Sequence, residues 1–209
     1  MKVKICGLRD PQNIREIAEL HPGYMGFIFY PPSPRCCSSL PESVVRELPD
    51  DIIPVAVTVN MDFDRIMATV RKYGFRGVQL HGDESPELCD RLREKGLFVL
   101  KAISIKDAES VGNAAVYDGH VDLLVLDTAT KSKGGSGRKF DWSLLNDANI
   151  NTGFLLSGGI GPEDSDIISK LSIPHMVGID LNSRFEISPG IKSVDLLSEF
   201  LSQLNCNSI

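Results

Sequence analysis

The side chains best equipped for chemistry in this chain are a thiol, an imidazole and two carboxylates, each closing a short apolar run. Cys6 follows Val3-Lys4-Ile5, His81 follows Val78-Gln79-Leu80, Asp127 follows Leu124-Val125-Leu126 and Asp180 follows Val177-Gly178-Ile179. A thiol and a carboxyl can divide a proton transfer between them, the thiolate as base and the carboxylic acid as donor. Near neutral pH that requires opposite adjustments: the carboxyl must rise from about 4 by desolvation, and a thiol near 8.5 must lose its proton readily. Read singly, each residue has a plainer explanation. A strand cysteine is often a small core residue and a histidine at a strand end can cap a loop, whereas an aspartate inside an apolar strand needs a partner or a function.

Glycine supplies a second signal. In Leu156-Ser157-Gly158-Gly159-Ile160-Gly161-Pro162, the paired glycines follow an apolar run and precede a helix start. Their backbone can approach a ligand closely, and the N–H groups of a helix start favour a phosphate, so Gly158 and Gly159 are expected phosphate contacts. The run Lys131 to Lys139 (KSKGGSGRK) is polar and long for a strand-to-helix connection, which suits a lid over a ligand or a plain surface loop.

The elements that must position these groups are eight short runs, starting near Val3, Tyr24, Ile53, Gly77, Phe98, Asp122, Phe154 and Met176. They are apolar on both parities, as in parallel strands covered on both faces. Lys4 and Cys6 share one side of the first, Gln79 and His81 one side of the fourth. Amphipathic segments lie between the runs, opened by Asp10-Pro11, Ser85-Pro86 and Gly161-Pro162-Glu163. Ile14, Ile17 and Ala18 fall on one helical face, as do Ile66, Met67, Val70 and Tyr73, and again Leu196, Leu197, Phe200, Leu201 and Leu204. The segment after Lys101 has little periodicity. Repeated strand-then-helix units in 209 residues predict an α/β chain folded as a single (β/α)8 TIM barrel over 1–209, with an open doubly wound sheet as the alternative. Cys6, His81, Asp127 and Asp180 would then meet at the C-terminal face, where such barrels carry their chemistry. Lys4 and Lys101 are read as balancing buried acids near the barrel floor.

Composition narrows the partners. With 42% hydrophobic and 24% charged residues and a net charge of −6, the chain reads as an ordinary globular protein with no basic field for nucleic acid or anionic membrane. No apolar run is long enough to cross a bilayer, and MKVKICG reads as a strand instead of a leader, so a cytoplasmic location is expected. The five cysteines lack C-x-x-C spacing and read as free thiols, Cys36, Cys37, Cys89 and Cys206 as inert ones; the four histidines form no ligand pattern, so no metal is expected.

Seven segments together resemble one family. They are K-I-C-G at Lys4 to Gly7, S-P-R at Ser33 to Arg35, Q-L-H-G at Gln79 to Gly82, L-D-T at Leu126 to Thr128, G-G-S-G-R-K-F-D-W at Gly134 to Trp142, L-S-G-G at Leu156 to Gly159, and P-G-I-K at Pro189 to Lys192. In this order they are similar to the phosphoribosylanthranilate isomerases and span nearly the whole chain. The resemblance implies a tryptophan-biosynthesis step without cofactor, the Amadori rearrangement of N-(5-phosphoribosyl)anthranilate to 1-(2-carboxyphenylamino)-1-deoxyribulose 5-phosphate. It implies Asp127 as the general acid on the ring oxygen, Cys6 as the base at C2, Arg35 as the grip on the anthranilate carboxylate, and His81 and Asp180 as pocket residues. The substrate would be a phosphorylated small molecule and the assembly a monomer or homodimer.

After the eighth run the chain departs from the common family pattern D-x-S-S-G-V-E, reading Asp180-Leu181-Asn182-Ser183-Arg184-Phe185-Glu186. Ser183 and Arg184 are expected to complete the phosphate site, Arg184 as an added cationic donor or else as a surface partner of Glu186. Two other functions compete with this reading. A histidine-pathway aminoaldose isomerase would carry an aspartate where Cys6 stands, and a non-catalytic barrel acting as a binding protein would have no use for Cys6, Asp127 and Arg35 together.

Overall fold

The computed structural model describes residues 1–129, 139–146 and 148–206, except the side chains of Asn205 and Cys206. Eight parallel strands close on themselves in sequence order: β1 (Lys2–Cys6), β2 (Tyr24–Ile28), β3 (Ile53–Thr58), β4 (Gly77–Leu80), β5 (Phe98–Ile105), β6 (Leu123–Thr128), β7 (Phe154–Leu156) and β8 (Met176–Leu181). The predicted runs coincide with these strands to within a few residues at each end. Closure is made by the pairing of β1 with β8, which sets Lys4 opposite Asp180, and of β1 with β2, which sets Cys6 opposite Gly26. The open-sheet alternative is thereby excluded, since a closed sheet has no edge strand.

Two packed regions follow from the alternation of strand side chains. Tyr24, Val55, Leu100, Ala102, Leu123, Val125 and Leu155 fill the barrel interior. Their chain neighbours face outward against helices α1 (Pro11–Ala18), α3 (Phe63–Tyr73), α4 (Pro86–Arg93) and α7 (Val194–Cys206), burying Ile14, Ile17, Ile66, Val70, Leu92, Leu197 and Phe200. Both faces of each strand are thus withdrawn from water, which is why the runs are apolar on both parities.

The helix signals act as capping physics requires at some ends and not at others. Asp10 accepts from the Asn13 backbone N–H at 2.9 Å and starts α1, whereas Ser85 makes no side-chain cap at α4. Gly161-Pro162 opens a 3-10 turn (Pro162–Asp164) that leads into α6 (Ser165–Lys170). The aperiodic segment after Lys101 yields only α5 (Ala108–Gly112) and a 3-10 continuation, and the connection after β6 carries a 3-10 turn at Trp142–Leu145. On α7 the expected apolar face holds for Leu197, Phe200 and Leu204, but Leu196 is exposed. After β8 the chain makes a short hairpin, β9 (Glu186–Ser188) with β10 (Ile191–Lys192), which sequence reading did not anticipate.

Candidate active site

The site is built at the C-terminal ends of the strands, beginning with β1. Cys6 is 4% exposed, and its Sγ lies over Gly26 of β2, where an added Cβ would sit 2.7 Å from the sulfur. A glycine inside a strand often marks such a close approach, so Gly26 was legible as a signal that the sequence reading left unused. Directly below, Lys4 is fully buried and its Nζ donates to Asp180 Oδ1 at 2.8 Å, its charge acting on the nearby Cys6 thiol. Asp180 Oδ2 in turn accepts from the Ser157 hydroxyl at 3.3 Å. Lys4 therefore does balance a buried acid, but at the functional end of the barrel instead of its floor.

Electrostatics in this cluster run against one expectation. Burial pushes the Cys6 thiol above its ordinary value, and Lys4 only partly opposes this while Asp180 adds to it. The thiol is raised, not depressed, because it is sealed from water and Asp180 offsets part of the pull of Lys4 and, more weakly, Lys192. For Lys4, burial alone would lower the ammonium, but Asp180 and then Cys6 outweigh it and the net shift is upward. Asp127 is raised to about 6 by burial and then by the nearby charge of Asp180.

Asp127 is the penultimate residue of β6, with 18% of its side chain exposed, and its Oδ1 accepts from the Thr128 backbone N–H at 2.8 Å. His81 Nε2 stands 3.8 Å from Asp127 Oδ2, and the ring's Nδ1 is 2.9 Å from the Gln79 side-chain amide. The shared side of Gln79 and His81 thus becomes a polar track from the interior to the acid. Lys101 has a different task from Lys4. Its Nζ donates to the carbonyls of Leu80, Gly82 and Ala102 and lies 3.3 Å from the buried Glu84, which accepts from the backbone N–H groups of Asn60 and Gly82. The pair fixes the turn that carries His81 and does not reach Cys6.

Arg35, in the loop after β2, is drawn across the end of β1 to the segment after β8. Its Nε and Nη2 donate to both oxygens of Glu186 at 2.7–3.1 Å. Glu186 also accepts from Lys192 Nζ at 2.8 Å and from the Gly190 N–H at 3.1 Å. Burial lowers Lys192 to about 8 against the opposing pull of Glu186, and the two cations hold Glu186 below the usual carboxylate range in spite of its burial. Glu186 and Lys192 were not singled out from sequence, although Lys192 closes the P-G-I-K segment.

The glycine loop after β7 brings its backbone close to the end of β6. Gly158 and Gly159 both have positive φ, 87° and 74°, and a Cβ on Gly158 would collide with the Thr128 backbone N at 2.5 Å. The adjoining turn is less open, since the Gly161 N–H is already taken by Asp164 at 2.7 Å. Ser183 and Arg184 lie in a 3-10 turn, Ser183–Phe185, across from this loop. Arg184 is not among the residues of positive φ, so the family's glycine position needs no left-handed backbone here. Its guanidinium donates to Glu163 at 2.7 Å, both side chains being largely exposed; the expected alternative partner, Glu186, is occupied by Arg35 and Lys192. The candidate lid residues 131–138 and the side chain of Cys206 lie outside the described residues. Cys37 and Cys89 are buried, and burial pushes Cys37 above the thiol range and Cys89 to about 11.

Comparison with known proteins follows the same outline. A family model described as N-(5'phosphoribosyl)anthranilate (PRA) isomerase matches residues 3–203. An N-(5'-phosphoribosyl)anthranilate isomerase from Parabacteroides distasonis is 42% identical over 206 residues, covering 98% of this chain and 93% of the relative. One from Nostoc punctiforme is 38% identical, with 98% of each chain covered. The solved phosphoribosyl anthranilate isomerase of Thermotoga maritima superposes with a TM-score of 0.85 at 30% identity over 99% of both chains. A phosphoribosyl anthranilate isomerase solved with reduced 1-(o-carboxyphenylamino)-1-deoxyribulose 5-phosphate gives a TM-score of 0.84 at 29% identity over 99% of both chains. The chain belongs to the N-(5'-phosphoribosyl)anthranilate isomerase family.

Proposed function

We propose that this barrel performs the family's Amadori rearrangement with Asp127 as general acid and Cys6 as general base. The observation that carries the reading is the shared neighbourhood of the two groups: Asp180, paired to Lys4 at 2.8 Å, raises both Asp127 and Cys6 while the Lys4 charge favours the thiolate. Asp127, raised to about 6, gives its proton to the furanose ring oxygen as the C1–O bond breaks and the amine lone pair forms the C1=N bond of a cationic Schiff base. The Cys6 thiolate then takes the C2 proton. The electron pair of that C–H bond closes C1=C2 and neutralises the nitrogen, and the resulting enolamine becomes the ketone as C1 takes up a proton and the C2 hydroxyl releases one, which returns Cys6 and Asp127 to their starting proton count.

A raised thiol suits this order of events. A thiolate of high pKa is the stronger proton acceptor, and it becomes populated when a cationic Schiff base joins Lys4 beside it. Because β1 and β6 are not adjacent in the barrel, the two groups address different atoms of one ligand. Arg35 is assigned to the anthranilate carboxylate, His81 and Asp180 to the pocket wall, and Gly158, Gly159, Ser183 and Arg184 to the phosphate. Contact of Arg184 with phosphate requires its guanidinium to exchange Glu163 for the ligand.

Turnover by Cys6→Ser and Asp127→Asn tests the assignment. Each should lose roughly 10²–10⁴-fold or more in kcat, with the circular dichroism spectrum unchanged. Retention of most activity by Cys6→Ala would remove the thiol from the mechanism, and absence of turnover in the unaltered protein would favour a non-catalytic barrel.

A further inference from the structure

We propose that Glu186 is a positioning residue that fixes the guanidinium of Arg35 for carboxylate recognition, with Lys192 held beside it to keep the cluster cationic. The inference rests on the assignment of Arg35 to the substrate carboxylate. Arg35 comes from the loop after β2 and Glu186 from the start of β9, so their contact spans the end of β1, which lies between β2 and β8. Gly7, immediately after Cys6, is the floor of this span. It has φ +81°, and a Cβ there would stand 2.7 Å from both Arg35 Cδ and Asn182 Oδ1. The arginine stem is thus seated on the backbone that carries the base.

Glu186 occupies one edge of the guanidinium with a two-point contact through Nε and Nη2. A planar group held along one edge has no freedom to rotate, and its other edge, bearing Nη1, is fixed in direction. Among the described residues Nη1 has no hydrogen-bond partner. A lone Arg–Glu pair would be neutral and a poor lure for an anion. Lys192, buried and donating to both Glu186 and Asn182 Oδ1, restores one net positive charge, two cations against one carboxylate. Glu186 is therefore saturated by protein donors, Arg35, Lys192 and Gly190, and a ligand carboxylate meets the cationic face.

The test compares inhibition by two product analogues, arylamino-deoxyribulose phosphates with and without the ortho carboxylate, in wild type, Glu186→Gln, Arg35→Ala and the double variant. Wild type should prefer the carboxylated ligand by about tenfold or more, the range of a charge-assisted contact. Glu186→Gln should lose most of that preference and raise KM more than it lowers kcat. In the Arg35→Ala background, Glu186→Gln should change the preference no further, because a residue acting through Arg35 has nothing left to act on. If Arg35→Ala abolishes the preference while Glu186→Gln retains it, positioning by Glu186 is wrong and the Arg35 assignment stands. If Arg35→Ala itself retains the preference, the underlying assignment fails first. Should Glu186→Gln not fold, Glu186→Asp keeps the counter-charge for both cations, shortens the arm by one methylene, and carries the same expectation.

Discussion

Raising the pH from 5 to 8 should carry kcat/KM up through a limb near 6 and then leave it flat, although the acid that titrates there must be protonated to work. Asp127 is raised to about 6 and Cys6 lies above its ordinary value. Below pH 6 the acid is already protonated, and each unit of pH gives tenfold more thiolate. Above pH 6 the acid loses its proton tenfold per unit while the thiolate still gains tenfold, so the product is constant until the thiol itself titrates. At pH 7.5 about 3% of Asp127 keeps its proton. With the thiol raised by its burial, the form that holds both the protonated acid and the thiolate is a minor one across this range. Initial rates at low substrate across this range supply the profile. A substrate phosphate also titrates near 6, so the limb is assigned with Asp180→Asn. Removing that carboxylate takes away its push on Asp127 and should move an enzyme limb to lower pH, while a substrate limb stays in place. A kcat/KM that falls as the pH rises through 6 would refute the reasoning, because that profile belongs to a thiol depressed below the acid.

Gly26→Ala should cut kcat by about 10²-fold, since its Cβ would meet Cys6 Sγ at 2.7 Å and displace the base; Gly23→Ala, whose Cβ would lie 3.6 Å from its nearest atom, is the control expected to stay active. Loss of activity in both variants alike would show general damage instead of a displaced thiol. Arg184→Ala should weaken inhibition by inorganic phosphate about tenfold or more if the guanidinium leaves Glu163 for the ligand. Unchanged inhibition would leave the backbone at Gly158 and Gly159 as the phosphate cradle.

The strands and the end of the barrel that bears the site were legible because both depend on local physics. Burial on two faces demands runs without polar alternation, so Cys6, Asp127 and Asp180 stood out as exceptions within or closing such runs. Weak helices such as α5 and the 3-10 turn at Trp142–Leu145 were less legible, since they are short and draw their definition from packing.

Partnership was decided only by the closed sheet. Lys4 and Asp180 are 176 residues apart, Arg35 and Glu186 151 apart, and nothing in either segment names the other. Closure of β1 against β8 brings both pairs together, and with them comes the sign of the shift on Cys6. Sequence identified a thiol that chemistry would want acidic. The tertiary structure buries it, places Asp180 beside Lys4, and thereby raises it, because a pKa is set by the water removed and the charges nearby, and neither is a property of the residue alone.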